Sequence, residues 1–207
     1  MLRTILNNKP LLWLVLALPA IGMIRALVIG DTGVFGDNTG AVDAADLLHP
    51  SGEFSARLMI AAMMLGPLLA LIGPRPWLAW LVARRRSLGV AAFSYALLHL
   101  LLYCLDMGNL DDMLAELSAP GIWTGWAAFA LMLPLAASSN DAAVRALKAG
   151  WKRLQRLAYP AAILTLLHWA LVHNNATAAL IHFAPLVLLH LLRLVRFSRP
   201  SLQGIRK

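Results

Sequence analysis

Apolar residues run along this chain in long unbroken stretches, at about 11–29, 56–73, 87–105, 121–137, 155–173 and 178–196. Each is rich in Leu, Ala, Val, Ile and Met. None alternates with polar positions, so helices are expected and barrel strands are not. A hydrocarbon core of about 30 Å takes roughly 20 helical residues to cross. The six runs approach that length and predict an all-α, integral membrane bundle of six transmembrane helices. There is no internal repeat, no low-complexity tract and no connection long enough for a domain, the longest being the 30–55 loop. Residues 1–207 therefore read as a single transmembrane domain.

Composition agrees with the pattern: 60% of the residues are hydrophobic, 14% are charged and the mean hydropathy is +0.70. A soluble domain carries about 25% charged residues, because its surface must face water. The first run follows Arg3 and Lys9, as in a signal peptide. It lacks a small-x-small cleavage site and continues past Pro19 to Arg25, so an uncleaved first helix is expected.

Charge orients the bundle. With the N-terminus inside, the inner segments 1–10, 74–86, 138–154 and 197–207 hold Arg84, Arg85, Arg86, Arg145, Lys148, Lys152 and Arg153 against one acid, Asp141. The outer segments 30–55 and 106–120 hold Asp31, Asp37, Asp43, Asp46, Glu53, Asp106, Asp111, Asp112 and Glu116. Basic residues gather on the cytoplasmic side of multi-pass proteins. Both termini are thus placed in the cytoplasm and the chain in a bacterial inner membrane. The net charge of +8 reads as topology and contact with membrane lipid; no nucleic acid is implied. Cys104 is the only cysteine, which rules out an intrachain disulfide, a thiolate cluster and covalent haem attachment. No P-loop, dinucleotide glycine fingerprint or Gly-x-Ser-x-Gly elbow is present, so nucleotide or hydrolytic chemistry would belong to a partner.

Ionisable residues inside a membrane are costly, and each is a functional candidate. Of His49, His99, His168, His173, His182 and His190, two match in depth. His99 lies 13 residues after Arg86 and His168 lies 15 residues after Arg153, on helices that both run outward. At about 1.5 Å per residue, the two imidazoles fall at nearly one height in the outer half of the bilayer. Facing imidazoles on two helices are what bis-histidine haem ligation requires. Interhelical hydrogen bonding without a cofactor is the plain alternative. Zinc fits less well, since only His182 could join that layer. Ala92, Ala96, Ala161 and Leu164 would leave room for a macrocycle, and Tyr95 offers a hydroxyl near the same face. Arg25 and Arg57, the basic residues toward the outer side, could pair with haem propionates or reach for lipid headgroups.

At these residues the sequence resembles the MsrQ/YedZ family, the haem-binding membrane subunits of bacterial periplasmic methionine sulfoxide reductase systems, within the ferric-reductase-like transmembrane superfamily. The segments that carry the likeness are "LLHPSGEFSARLMIAAMMLGPL", "RRRSLGVAAFSYALLHLLLYCLDMG", "APGIWTGWAAFALMLPLAASS" and "WKRLQRLAYPAAILTLLHWALV", from about His49 to Arg196. The resemblance implies haem b with His99 and His168 as axial ligands of its iron. It also implies a family histidine at His49, read here as a loop residue outside the iron's coordination. A further family histidine, tied to a second haem near the inner face, is replaced by Gln155, a poor iron ligand. His190 is the substitute candidate, with packing or hydrogen bonding as its alternative. Pro160 departs from the family pattern and removes a backbone bond to residue 156, so a bend near Gln155 is expected.

The family implies electron transfer from quinol or a cytoplasmic flavin reductase to a periplasmic molybdenum-containing reductase that repairs methionine sulfoxide. FMN or quinone are the further cofactor candidates, and the basic inner cluster and the acidic outer loops the candidate docking surfaces. The chain would then be an electron-transfer subunit and not a self-contained enzyme. A haem-bearing or structural subunit of a larger complex, a ferric or cupric ion reductase of the same superfamily, and a transporter are the other classes. The transporter lacks the expected repeats.

Overall fold

A computed structural model describes residues 8–30, 42–172 and 176–198, and these are almost entirely helical, with no strand among them. Ten α-helices follow in order: α1 (Lys9–Ile29), α2 (Ala44–Ile72), α3 (Pro76–Ala83), α4 (Arg85–Met107), α5 (Leu110–Glu116), α6 (Pro120–Ala137), α7 (Asp141–Leu147), α8 (Ala149–Leu154), α9 (Ala158–Val172) and α10 (Ala176–Ser198). Five of them, α1, α2, α4, α6 and α10, are long and apolar enough to cross a membrane.

The sixth expected span differs. A continuous helix over 155–173 gives way to a 3-10 turn at Gln155–Leu157 followed by α9, which has 15 residues. Such a helix is about 22 Å long, short of the hydrocarbon thickness. Pro160 explains the break. It sits in the first turn of α9, where its missing N–H costs least, and the turn before it is the tighter 3-10 form. His173 lies outside the described residues.

The second correction concerns α2, which starts twelve residues before the expected 56. Asp46 in its first turn accepts a hydrogen bond from the Asp43 backbone N–H at 3.0 Å, a capping contact that fixes the start. The helix continues through Pro50 and Pro67 to Gly73, whose φ of 74° stops it. His49, expected in a loop, is therefore a helical residue. Short polar caps set two of the connections too: Asn109 Oδ1 accepts from Asp112 N at 2.8 Å, and Asn140 Oδ1 from Ala143 N at 2.8 Å.

Helix α2 packs most extensively against α4, and α6 against α9, while α10 lies on α2 and α9. Ala56, Ala92, Ala161, Ala162 and Ala179 are buried at these contacts, and small side chains of this kind let membrane helices approach closely. The opposite faces carry exposed Leu, Ile, Val and Trp, as on Leu180, Ile181, Val187, Leu188 and Leu191 of α10, a surface suited to lipid.

Helix α1 joins by a different device. Within it, the Ala20 N–H donates to Tyr95 Oη (3.0 Å), and Tyr95 Oη donates to the Leu16 carbonyl (2.8 Å). A phenol from α4 is thus inserted into the backbone ladder next to Pro19, where the helix is already one hydrogen bond short. Phe54 stacks on the same ring at 5.4 Å.

Candidate functional site

A half-open cavity of about 120 Å³ lies between α2, α4, α6 and α9. His99 reaches it from α4 and His168 from α9, and their ring centroids are 5.9 Å apart with planes at 81°. The depth match expected from the sequence is therefore realised as two imidazoles across one cavity.

Each imidazole is held by its inner nitrogen. His168 Nδ1 is 2.7 Å from the Gly121 carbonyl of α6, and His99 Nδ1 is 2.9 Å from the Leu48 carbonyl of α2. A carbonyl only accepts, so both Nδ1 atoms carry the proton and donate it. In a neutral ring of that tautomer the lone pair is on Nε2, the atom that could ligate a metal. Ser51 Oγ, 3.3 Å from His99 Nδ1 and donating to Leu48 O at 2.9 Å, ties the same anchor together.

Two glycines make the approach possible. A Cβ added at Gly125 would lie 2.7 Å from His168 Nδ1, and one at Gly52 would lie 3.1 Å from His99 Nδ1. Sequence reasoning passed over both. The signal was available, because glycine inside a helix costs about 1 kcal/mol relative to alanine and so calls for a packing reason.

The ring pair suits a haem iron. A metal–nitrogen bond of about 2 Å on each side, with half an imidazole beyond it, sets ring centroids about 6 Å apart. Most of the remaining wall is apolar, with Ala96, Leu100, Ile122, Trp126, Phe129 and Met132 among others, and Glu53, Ser55, Tyr103 and Thr165 are its polar members. Ala92 and Ala161 are buried in the adjoining core, so of the four expected spacers Ala96 alone lines the cavity. Among the described residues, no group of three or more His, Cys, Asp or Glu converges as a metal site.

The other expected site residues divide. His49 lines the cavity from α2, with Trp169 at 6.3 Å. Tyr95 does not; its hydroxyl is committed to α1, as described above, because α4 turns that face toward Leu16 and Ala20. His182 packs on Trp169 at 4.8 Å and stays off the wall; its Nδ1 is 2.8 Å from the Ala178 carbonyl. Arg57 is engaged by Glu53 at 2.6 Å and lies 3.2 Å from His182 Nε2, while Arg25 is exposed on α1. Gln155 donates from Nε2 to Ser138 Oγ (3.2 Å) and Leu135 O (3.4 Å) at the end of α6. Trp151 Nε1 donates to Ser138 O beside it (2.9 Å). His190 packs against Tyr159 of α9, with ring centroids 5.6 Å apart. Gln155 and His190 thus serve different contacts.

Residues 51–166 match the ferric reductase like transmembrane component family. The "protein-methionine-sulfoxide reductase heme-binding subunit MsrQ" of Xanthomonas axonopodis pv. citri is 37% identical over 143 residues, which is 67% of this chain and 64% of that relative. The proteins of the same name from Xanthomonas campestris pv. campestris and Ralstonia nicotianae are each 35% identical, covering 74% and 76% of this chain and 70% and 69% of their own lengths. The chain thus spans about two thirds of the length of these relatives. No solved structure matches.

Proposed function

The chain belongs to the ferric reductase like transmembrane component family and, within it, to the MsrQ haem-binding subunits; on that premise we propose that it is a b-type electron carrier of the bacterial inner membrane, bundled from six spans with both termini in the cytoplasm. Haem, when bound, would supply a one-electron couple in the outer half of the bilayer. His99 and His168 would hold it, and the observation that carries the reading is their 5.9 Å separation across the cavity with both Nδ1 atoms committed to carbonyls.

The chain's own residues have three tasks. The Gly121 and Leu48 carbonyls fix the tautomer and aim of the two rings, which raises their basicity as ligands. The mostly apolar wall favours a largely apolar guest. Held by two imidazoles, the group would serve electron transfer rather than oxygen binding. Electrons come from quinol or a cytoplasmic flavin donor and leave to a periplasmic molybdenum-containing methionine sulfoxide reductase. We assign one haem per chain, because Gln155 spends its amide on the end of α6. His99→Ala and His168→Ala should each abolish the low-spin haem spectrum of the purified protein, and persistence of that spectrum in either variant refutes the ligand assignment.

A further inference from the structure

Three ionisable side chains meet where α2, α9 and α10 come together, beside the cavity but apart from its pair of histidines. Arg57 Nη2 donates to Glu53 Oε1 at 2.6 Å and faces His182 Nε2 at 3.2 Å. The same Nε2 is 3.6 Å from Glu53 Oε1. Glu53 lines the cavity as well. Trp169, the residue after His168, lies against the His182 ring with centroids 4.8 Å apart, and His49 stands 6.3 Å from the same Trp169 ring. Among the described residues, His182 is thus faced by Arg57 and Glu53 from α2 and by Trp169 from α9, with His49 the next titratable group.

The contacts suit a neutral His182. Its Nδ1 is 2.8 Å from the Ala178 carbonyl, which only accepts, so Nδ1 carries the proton. Nε2 then holds a lone pair and accepts from Arg57. A second proton, on Nε2, would meet the guanidinium donor to donor, and Glu53 Oε1 is placed to receive it instead. Arg57 is the partner that can give way, because its side chain is 48% exposed against 19% for Glu53. His182 is 28% exposed, which brings Nε2 within reach of water. The cluster therefore has two arrangements. In one, Arg57 bonds both neighbours and His182 is neutral; in the other, Glu53 pairs with a protonated His182 and Arg57 turns into solvent.

We propose that His182 is a redox-linked proton site, with Glu53 as its counter-ion, a reading that rests on the electron-carrier function proposed above. As one electron arrives from the donor at the site between His99 and His168, His182 Nε2 binds one proton from water. As that electron leaves to the acceptor, the Nε2–H bond breaks and the proton returns to water. The charge added beside a mostly apolar wall is balanced in this way. At a separation on the order of 10 Å and an effective dielectric constant of about 20, one elementary charge changes proton affinity about tenfold. Such coupling is reciprocal, so protonation of His182 tightens electron binding by the same factor. For a one-electron couple, a tenfold change is about 59 mV.

The test is spectroelectrochemical titration of the haem-loaded chain in detergent between pH 5 and 8, the range in which imidazole ordinarily changes charge. The wild-type midpoint potential falls as pH rises, by about 59 mV in all. In His182→Gln it is constant over that range. Glu53→Gln keeps the fall but moves it to lower pH, because the protonated imidazole has lost its counter-ion. If His182→Gln does not hold haem, His182→Asn takes its place. A wild-type potential independent of pH overturns the proposal. So does an undiminished fall in the His182 variant, which would assign the proton to His49 or to a haem propionate. A wild-type chain without haem refutes the electron-carrier reading and this proposal with it, an outcome read from haem content before any titration.

Discussion

Gly125→Ala is the most informative single substitution at the cavity. The new Cβ would stand 2.7 Å from His168 Nδ1 and 2.8 Å from its Cε1, against a normal contact of about 3.5 Å. The ring cannot simply recede, because the same Nδ1 is bonded to Gly121 O at 2.7 Å. Relief requires breaking that bond or moving α9 away from α6, and overpacking of this kind costs about 1–3 kcal/mol. Loss of a bond that orients a metal-ligating histidine lowers metal affinity about 10–100-fold. Gly52→Ala is the graded comparison: its Cβ stops 3.1 Å from His99 Nδ1, and His99 keeps two anchors, Leu48 O and Ser51 Oγ. Gly89→Ala is the control, with nothing within 4 Å. Haem titration into the apo form, followed at the Soret band, should rank affinity as wild type and Gly89→Ala, then Gly52→Ala, then Gly125→Ala. Wild-type affinity in Gly125→Ala, or a weaker Gly52→Ala than Gly125→Ala, would refute the argument from close approach.

Three further outcomes are expected. Tyr95→Phe removes the hydroxyl bridging Ala20 and Leu16 and should lower stability by about 1–3 kcal/mol in thermal melts; haem content should not change, and a loss of haem would return Tyr95 to the site. Gln155→His should leave the haem-to-protein ratio at one, because position 155 faces the end of α6; a second haem would show that the inner site awaits only its ligand. The Arg86 guanidinium, by its hydrogen bond and charge, holds the Asp141 carboxyl below the ordinary carboxylate value. A lowered carboxyl value stabilises above the unfolded value and ceases to do so as pH falls through the folded one. Melting curves of wild type and Arg86→Gln should therefore differ at neutral pH and converge in acid, less so at high salt; a gap that widens in acid contradicts the pairing.

The features legible in the sequence were those that rest on one-dimensional quantities. Runs of apolar residues mark α1, α4, α6 and α10 to within two residues of each end, because lipid imposes both length and composition. Counting residues from Arg86 and Arg153 placed His99 and His168 at one height, since rise per residue is fixed. What failed depends on contacts between helices. The early start of α2 hangs on Asp43 and Asp46, and a polar stretch that reads as loop is a capped helix beside the cavity. Tyr95 shares a face with His99 by spacing, yet its hydroxyl is taken by a helix some 75 residues earlier in the chain. Gly52 and Gly125 carry no chemistry of their own and are visible only through the imidazoles they admit.

The most direct test of the central claim is a pyridine haemochrome assay on the detergent-purified chain, with His99→Ala and His168→Ala alongside. The account predicts one haem b per polypeptide and none in either variant. A wild-type chain without haem, purified from cells with ample supply, or full haem retention in both variants, would contradict it.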